Sequence, residues 1–313
     1  MATKPREPSS NVSVDVGICT FRRPELADTL HSLFAQKIPG NTHVRLIVAD
    51  NDENPSASVI VEALRPQSPF ELTYVHCPKS NISLARNACI AASDGDYLAF
   101  IDDDETAGTT WLSSLLATAT RTKADAVLGP VKAVYASDAP AWMKEGDFHS
   151  TRPVWVKGSI KTGYTCNVLL DMRSPFIKDR LFDLALGQSG GEDTDYFAKV
   201  TEQGGYITFA EEALLKEPVP AKRANLSWLI KRRYRSGQTH GRILRSRTSS
   251  IGRIKELILA GSKAVFCLAA CGATIFSPPR QTGFLLRATL HCGAISGILG
   301  AREIQQYGTT EVA

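Results

Sequence analysis

Tyr97-Leu98-Ala99-Phe100-Ile101-Asp102-Asp103-Asp104-Glu105 joins an apolar run directly to four carboxylates. A continuous apolar run without alternation predicts a strand covered on both faces, as in a parallel sheet. In open α/β sheets, ligands bind beyond the carboxyl ends of strands. Carboxylates crowded at such an end repel one another unless a cation lies among them. Hard oxygen ligands suit Mg²⁺ or Mn²⁺, which typically bridge protein carboxylates to substrate phosphates. The plainer alternative is an acidic loop that caps the next helix, since acids favour first turns. The acids follow the strand with no intervening turn residue, which favours the metal.

Working outward, the segments upstream repeat one pattern. Val12 to Cys19 reads as a first buried strand, followed by the loop Thr20-Phe21-Arg22-Arg23-Pro24-Glu25 and a helix bearing Leu26, Leu30, Leu33 and Phe34. Val44 to Ala49 is a second strand with Asp50-Asn51 at its end, and a helix runs from about Pro55 to Leu64. Leu72 to Val75 is a third strand, and residues 81–92 are a helix before the turn Ser93-Asp94-Gly95-Asp96. Strands alternating with helices at this spacing predict the α/β class, a mostly parallel central sheet with helices on both faces.

Downstream, residues 107–122 read as an amphipathic helix, and Ala126 to Val134 as a strand broken by Gly129-Pro130. The stretch from Tyr135 to Ile160 is irregular and aromatic, with Trp142, Phe148 and Trp155; so long a loop points to function. Cys166 to Asp171 is strand-like. Gly187 to Asp195 is a glycine-rich acidic turn leading into a helix over 194–203, and Tyr206 to Ala210 is one more short strand.

The charge divides unevenly along the chain. Residues 1–217 hold 21 Lys+Arg against 29 Asp+Glu, whereas residues 218–313 hold 15 against three. The acidic part suits a metal and a nucleotide; the basic part suits phosphates or an anionic leaflet. Four segments follow: a disordered lead-in at 1–11, a catalytic domain at 12–217, a basic helical segment at 218–255, and an apolar helical hairpin at 256–313. Within the hairpin, Leu257–Phe276 contains Lys263, and Phe284–Ile298 contains Arg287 and His291. Each falls short of the roughly 20 uninterrupted apolar residues of a spanning helix, so the hairpin is expected to lie in or against a membrane interface, the alternative being a buried helical pair packed on the catalytic domain. Seven cysteines without a CxxC pair fit reduced thiols in a cytosolic protein, and the polar N-terminus lacks the apolar core of a signal peptide.

Other candidates accompany the acidic strand end. Asp50 either accepts from a base N–H or closes an Asx turn. Arg86-Asn87 pairs with a diphosphate or with the acids, or else forms a structural salt bridge. Glu192-Asp193 supplies a general base or an N-cap. Arg232-Arg233-Tyr234-Arg235 holds a diphosphate, grips headgroups or is merely solvated.

Taken together and in order, VDVGICTFRRPE, IVADN, NISLARNACIAASDGDYLAFIDDDE, GYTCNVLL and GQSGGEDTDYFAKVTEQGG resemble the family 2 inverting glycosyltransferases with the Rossmann-like GT-A fold. More narrowly, they resemble the bacterial exopolysaccharide glucosyltransferases of the succinoglycan type, over roughly residues 12 to 240. The resemblance implies the roles that follow. Thr20 and Arg22 lie in the loop that wraps base and ribose, and Asp50 contacts uracil. Arg86 and Asn87 stand near the donor diphosphate or sugar. Asp102 faces ribose or sugar and, with Asp104, the metal, while Asp103 is spectator or ligand. Asp193 is the catalytic base with Glu192 beside it, and Asn167 lies in the acceptor-side strand. Arg233 and Arg235, with Arg232, match the basic motif behind the diphosphate. RRYRSG lacks the Gln and Trp of the polymerising synthases, which points to transfer of a single sugar.

The resemblance also implies a UDP-sugar donor and an undecaprenyl-diphosphate-linked oligosaccharide acceptor at the cytoplasmic face of the bacterial inner membrane, with the protein peripheral or monotopic. A sugar-1-phosphate nucleotidyltransferase is the rival enzyme class, but its first-strand loop is usually glycine-rich and CTFRRPE has no glycine. A nucleic-acid-binding module at 222–255 is the non-enzymatic rival, supported by basic charge alone, and no nucleic-acid partner is expected.

Overall fold

The computed structural model describes residues 11–301. All but the last residue of the expected lead-in, and the end of the hairpin segment, lie outside the described residues. The strands are β1 (Val12–Thr20), β2 (Thr42–Asp50), β3 (Glu71–His76), β4 (Tyr97–Asp102), β5 (Thr106–Ala107), β6 (Ala126–Leu128), β7 (Val131–Val134), β8 (Trp155–Val156), β9 (Ser159–Ile160), β10 (Asn167–Asp171), β11 (Ile207–Phe209) and β12 (Leu215–Pro218). A seven-stranded sheet has the order β11-β6-β10-β4-β1-β2-β3. Only β10 runs against its neighbours, β4 and β6; the remaining pairs are parallel.

Alternation along the central strands divides the core between two faces. Val14, Val16 and Ile18 of β1 and Ala99 and Ile101 of β4 pack with helices α1 (Leu26–Phe34), α2 (Ser58–Leu64) and, further along the chain, α4 (Trp111–Thr122). Ile47, Leu98 and Phe100 point the other way, onto α3 (Ile82–Ala92) and α6 (Glu192–Glu202). The expected layered sheet is therefore present. Gly129-Pro130 does more than bend a strand: it sends β6 into the main sheet and β7 into a second sheet of order β5-β12-β7. The aromatic stretch contains α5 (Ala141–Gly146) and the two-stranded β8–β9 ladder.

Three helices close the described chain: α7 (Leu226–Arg247), α8 (Ser250–Ala273) and α9 (Pro278–Leu299). The expected division at 255/256 falls inside α8, because the helix starts where Ser249 accepts from the Gly252 N–H at 3.3 Å, well before the apolar run begins. The basic segment is not separate from the hairpin either. A Cβ built at Gly237 collides with the Leu290 carbonyl, one at Gly241 with that of Ala294, and one at Gly293 with that of Tyr234. Contacts advancing together along both helices mean that α7 and α9 run parallel with their backbones touching. Glycine permits this approach, as in small-xxx-small helix pairs. Both α8 and α9 are long and apolar enough to cross a membrane by length and composition. Ile251, Ile258, Val265 and Phe266 of α8 are exposed.

Candidate active site

The parallel register sets the carboxyl ends of β1, β2 and β4 on one edge: Thr20 pairs with Asp50, and Cys19 with Asp102. Asp50 is fully buried and accepts from the Asp52 N–H at 3.1 Å, the Ala57 N–H at 2.8 Å and the Tyr74 hydroxyl at 2.8 Å. These bonds close the turn after β2, so the Asx-turn reading describes its geometry. The next carboxylate, Asp52, accepts from Arg22 Nε at 2.9 Å, and that ion pair joins the loops after β1 and β2. Thr20 is buried beside Asp103.

The acids after β4 occupy distinct surroundings. Burial pushes both Asp102 and Asp103 up to about 7, with Asp104 adding like charge to each. Glu105 folds back so that its Oε2 accepts from the Asp102 N–H at 3.0 Å. Burial and Asp102 raise the Glu105 carboxyl well above the ordinary range. Asp104 faces Arg23 at 3.5 Å and Arg223 at 3.9 Å. Arg223 also pairs with Glu217 of β12 at 3.0 Å, so the small second sheet brings another acid to the cluster.

Atoms of Asp102, Glu105 and Cys166 lie within 4.8 Å of one another. Burial raises the Cys166 thiol well above its ordinary value, which favours the carboxylate oxygens as donors. Carboxylates driven toward neutrality by burial and by mutual repulsion are what a divalent ion would relieve, and oxygen donors suit Mg²⁺ or Mn²⁺.

Arg86 connects this edge to the glycine-rich turn. It is 6% exposed, forms an ion pair with Glu192 and lies 5.6 Å from the Phe182 ring centre. Burial disfavours its charge, but Glu192, Asp193 and Asp102 outweigh that and hold it firmly protonated. Gly190 and Gly191, both at φ +86°, turn the chain into α6, whose first turn carries Glu192 and Asp193. Asp193 therefore stands in the first helical turn, upstream of the helix start expected at 194. Burial and Glu192 push Asp193 up to about 6; Arg86 and bonds from Thr194 N–H (2.6 Å) and Oγ1 (3.3 Å) restrain it.

Several expected ligands have other tasks. Asn87 engages the Phe182 backbone, donating to O at 2.9 Å and accepting from N at 2.8 Å, so it braces a loop. Asn167 is fully buried and takes Trp111 Nε1 at 2.9 Å while donating to Pro130 and Ala213 carbonyls, which pins the two sheets together. On α7, Arg232 lies 5.3 Å from the Trp228 ring centre and helps hold down the raised carboxyl of Glu217. Arg233, one helix position on, instead has the like charges of Arg232 and Arg287 beside it. Arg235 is partly exposed on the same helix.

Sequence reasoning missed Arg23, Arg223 and Glu217. The first lay inside the FRRP loop; the others had no local signal, since a four-residue strand pairing with β7 brings them in. The aromatic loop joins them: His149 stacks on Trp228 at 5.1 Å, and its Nε2 donates to the Arg223 carbonyl at 3.0 Å. An acidic edge, a buried arginine and a second acid of raised pKa form a site able to bind a charged leaving group and accept a proton.

Residues 15–174 match the family described as "Glycosyl transferase family 2". The succinoglycan biosynthesis protein ExoM of Rhizobium meliloti (strain 1021) is 54% identical over 305 residues, covering 97% of this chain and 99% of that protein. Among solved structures, the mannosyltransferase PcManGT of Pyrobaculum calidifontis in complex with GDP-Man and Mn²⁺ superposes with a TM-score of 0.64 at 15% identity, covering 93% of this chain and 88% of that one. S. aureus TarS 1–349 in complex with UDP-GlcNAc gives 0.53 at 14% identity and 92% coverage of both chains. With the strand order and sheet edge described above, these likenesses lead to one assignment: the chain belongs to glycosyl transferase family 2 and is a glycosyltransferase of the GT-A fold.

Proposed function

We propose that the chain transfers one hexose, glucose by its likeness to ExoM, from a UDP-sugar to a hydroxyl of a lipid-linked oligosaccharide, with inversion, in exopolysaccharide synthesis. The carrying observation is Arg86, which lies within electrostatic reach of both Asp102 at the sheet edge and Asp193 on α6. A single displacement needs a stabilised leaving group and a base on the opposite face of the sugar, and no enzyme nucleophile.

Asp102 and Asp104 would hold a divalent ion, Mg²⁺ or Mn²⁺, which supplies charge neutralisation for the departing diphosphate. Mn²⁺ in PcManGT supports this, as UDP-GlcNAc in TarS supports a UDP donor. Arg22 and Asp52 hold the loops that would enclose the nucleotide. At neutral pH Asp193, raised to about 6, is ionised yet close enough to neutrality to take the acceptor proton. Thr194 engages its Oδ1, leaving Oδ2 for that task. Glu192, tied to Arg86, fixes the turn.

Residues 12–217 form the catalytic domain in this reading, and α7–α9 attach it to the cytoplasmic membrane face, where an undecaprenyl diphosphate carrier presents the acceptor. UDP release from each of several UDP-sugars, with membrane extract supplying acceptor, tests the donor. Calorimetric titration of UDP with and without Mn²⁺ tests the metal: Asp104→Ala should lose the Mn²⁺-dependent component. Equal UDP binding by parent and variant in Mn²⁺ would refute that ligand assignment.

A further inference from the structure

The parallel packing of α7 on α9 creates a second feature away from the acidic edge. Gly237 lies against Leu290 and Ala294. One turn earlier on both helices stand Arg233 and Arg287, placed abreast by the touching backbones. Arg232 adjoins them, covers Trp228 and donates to the His149 carbonyl at 3.5 Å. Between residues 218 and 301 the sole acid is Glu256. Among the described residues no carboxylate pairs with Arg233 or Arg287. Burial and the like charges of Arg232 and Arg287 together push Arg233 below its ordinary value. A half-buried guanidinium beside an exposed one, with no carboxylate paired to either among the described residues, is an unfavourable arrangement that a phosphate relieves.

We propose that Arg233 and Arg287, with Arg232 at their edge, bind the diphosphate of a prenyl-diphosphate-linked acceptor. The site is separate from the donor diphosphate beside Asp102, and the proposal rests on the lipid-linked acceptor read above. Position along the helices supports this ligand. On one side, Arg232 leads to Glu217 and the acidic pocket. On the other, Arg287 lies 5.8 Å from the Phe284 ring centre, and exposed Ile275 and Phe276 form the hairpin tip about 15 Å away along α9. Apolar surface, cations and catalytic acids thus follow one another in the order tail, diphosphate, sugar. Arg presents a planar fork to phosphate oxygens, so two of them across a helix pair suit a diphosphate.

Farnesyl diphosphate serves as probe, with tryptophan fluorescence reporting through Trp228. The full chain, Arg233→Gln and Arg287→Gln are each titrated with farnesyl diphosphate, inorganic pyrophosphate and UDP with Mn²⁺. Each is also mixed with phosphatidylcholine vesicles with and without phosphatidylglycerol. Loss of one charge-assisted contact should weaken farnesyl diphosphate at least about tenfold in each variant and leave UDP within about twofold. Arg287→Lys should restore part of the affinity. Should Arg233→Gln fail to fold, the exposed Arg287 carries the test. Unchanged farnesyl diphosphate affinity in both variants overturns the proposal. So does a loss confined to phosphatidylglycerol vesicles, which would mean bulk headgroups, or an equal loss of UDP, which would mean the donor site. Farnesyl diphosphate binding as expected, with no UDP-sugar consumed, would remove the transferase substrate reading and leave the anion site standing.

Discussion

Replacing Arg86 with Met removes a buried cation while keeping a chain of similar length. Glu192, 3% exposed, would then hold its carboxylate without a counter-charge. Breaking a buried pair from one side typically costs about 3–5 kcal/mol. The stranded carboxylate has one escape, taking up a proton. For an ordinary glutamate that costs about 3.7 kcal/mol at pH 7, which caps the penalty, and the cap falls to about 1.6 kcal/mol at pH 5.5. Arg86→Met should therefore unfold in urea with a loss of about 3–4 kcal/mol at pH 7, shrinking to less than half of that at pH 5.5. The double variant Arg86→Met/Glu192→Leu should return to within about 1 kcal/mol of the parent, because two apolar side chains replace two charges. Activity follows a different course. Arg86 restrains Asp193, so its loss raises that carboxyl above about 6 and moves the rising limb of the pH–rate profile to higher pH. A single variant as stable as the parent at both pH values would refute the coupled pair, as would a double variant no better than the single.

Asp193→Asn should cut turnover by about 10²–10⁴-fold and leave UDP affinity nearly intact, since only proton removal is lost. In the parent, protonation of Asp193 below about pH 6 should make the initial rate fall tenfold per pH unit; a flat rate down to pH 4.5 would remove it as base. Asp50→Ala strands donors from Asp52, Ala57 and Tyr74 and should cost about 3 kcal/mol, read as a lowered denaturation midpoint. Gly241→Leu drives a side chain into the Ala294 carbonyl and should cost about 1–3 kcal/mol, with faster amide exchange confined to α7 and α9.

The main sheet was legible because its central strands are near-continuous apolar runs and their helices carry local signals. Asn81 is one: it caps α3 by accepting from the Leu84 N–H at 3.2 Å. The acidic edge was legible for the same reason, since strand ends fall on one side once the strands are parallel. Arg86 was singled out, but its partner is 106 residues away and no pattern states that separation. Glu217 escaped notice because Leu215–Pro218 is too short for periodicity and pairs only through β5 and β7. Arg232 and Arg233 look equivalent in RRYR, and a single helical step of roughly 100° sends them to different neighbours. The close contact of α7 with α9 depends on Gly237, Gly241, Gly293 and Gly297, which read as interruptions in a basic helix and an apolar one.

Helix α7 touches more than its partner helix. Thr239 fills the space beside Gly191 so closely that a Cβ there collides with it, and Arg242 donates to the Gly190 carbonyl at 3.4 Å. The turn that presents Asp193 is thus buttressed by the same rod that is locked to the apolar pair. Trimming the chain near residue 217 to obtain a more soluble enzyme would remove that buttress along with the greasy tail. Whatever tilts that rod also moves Asp193.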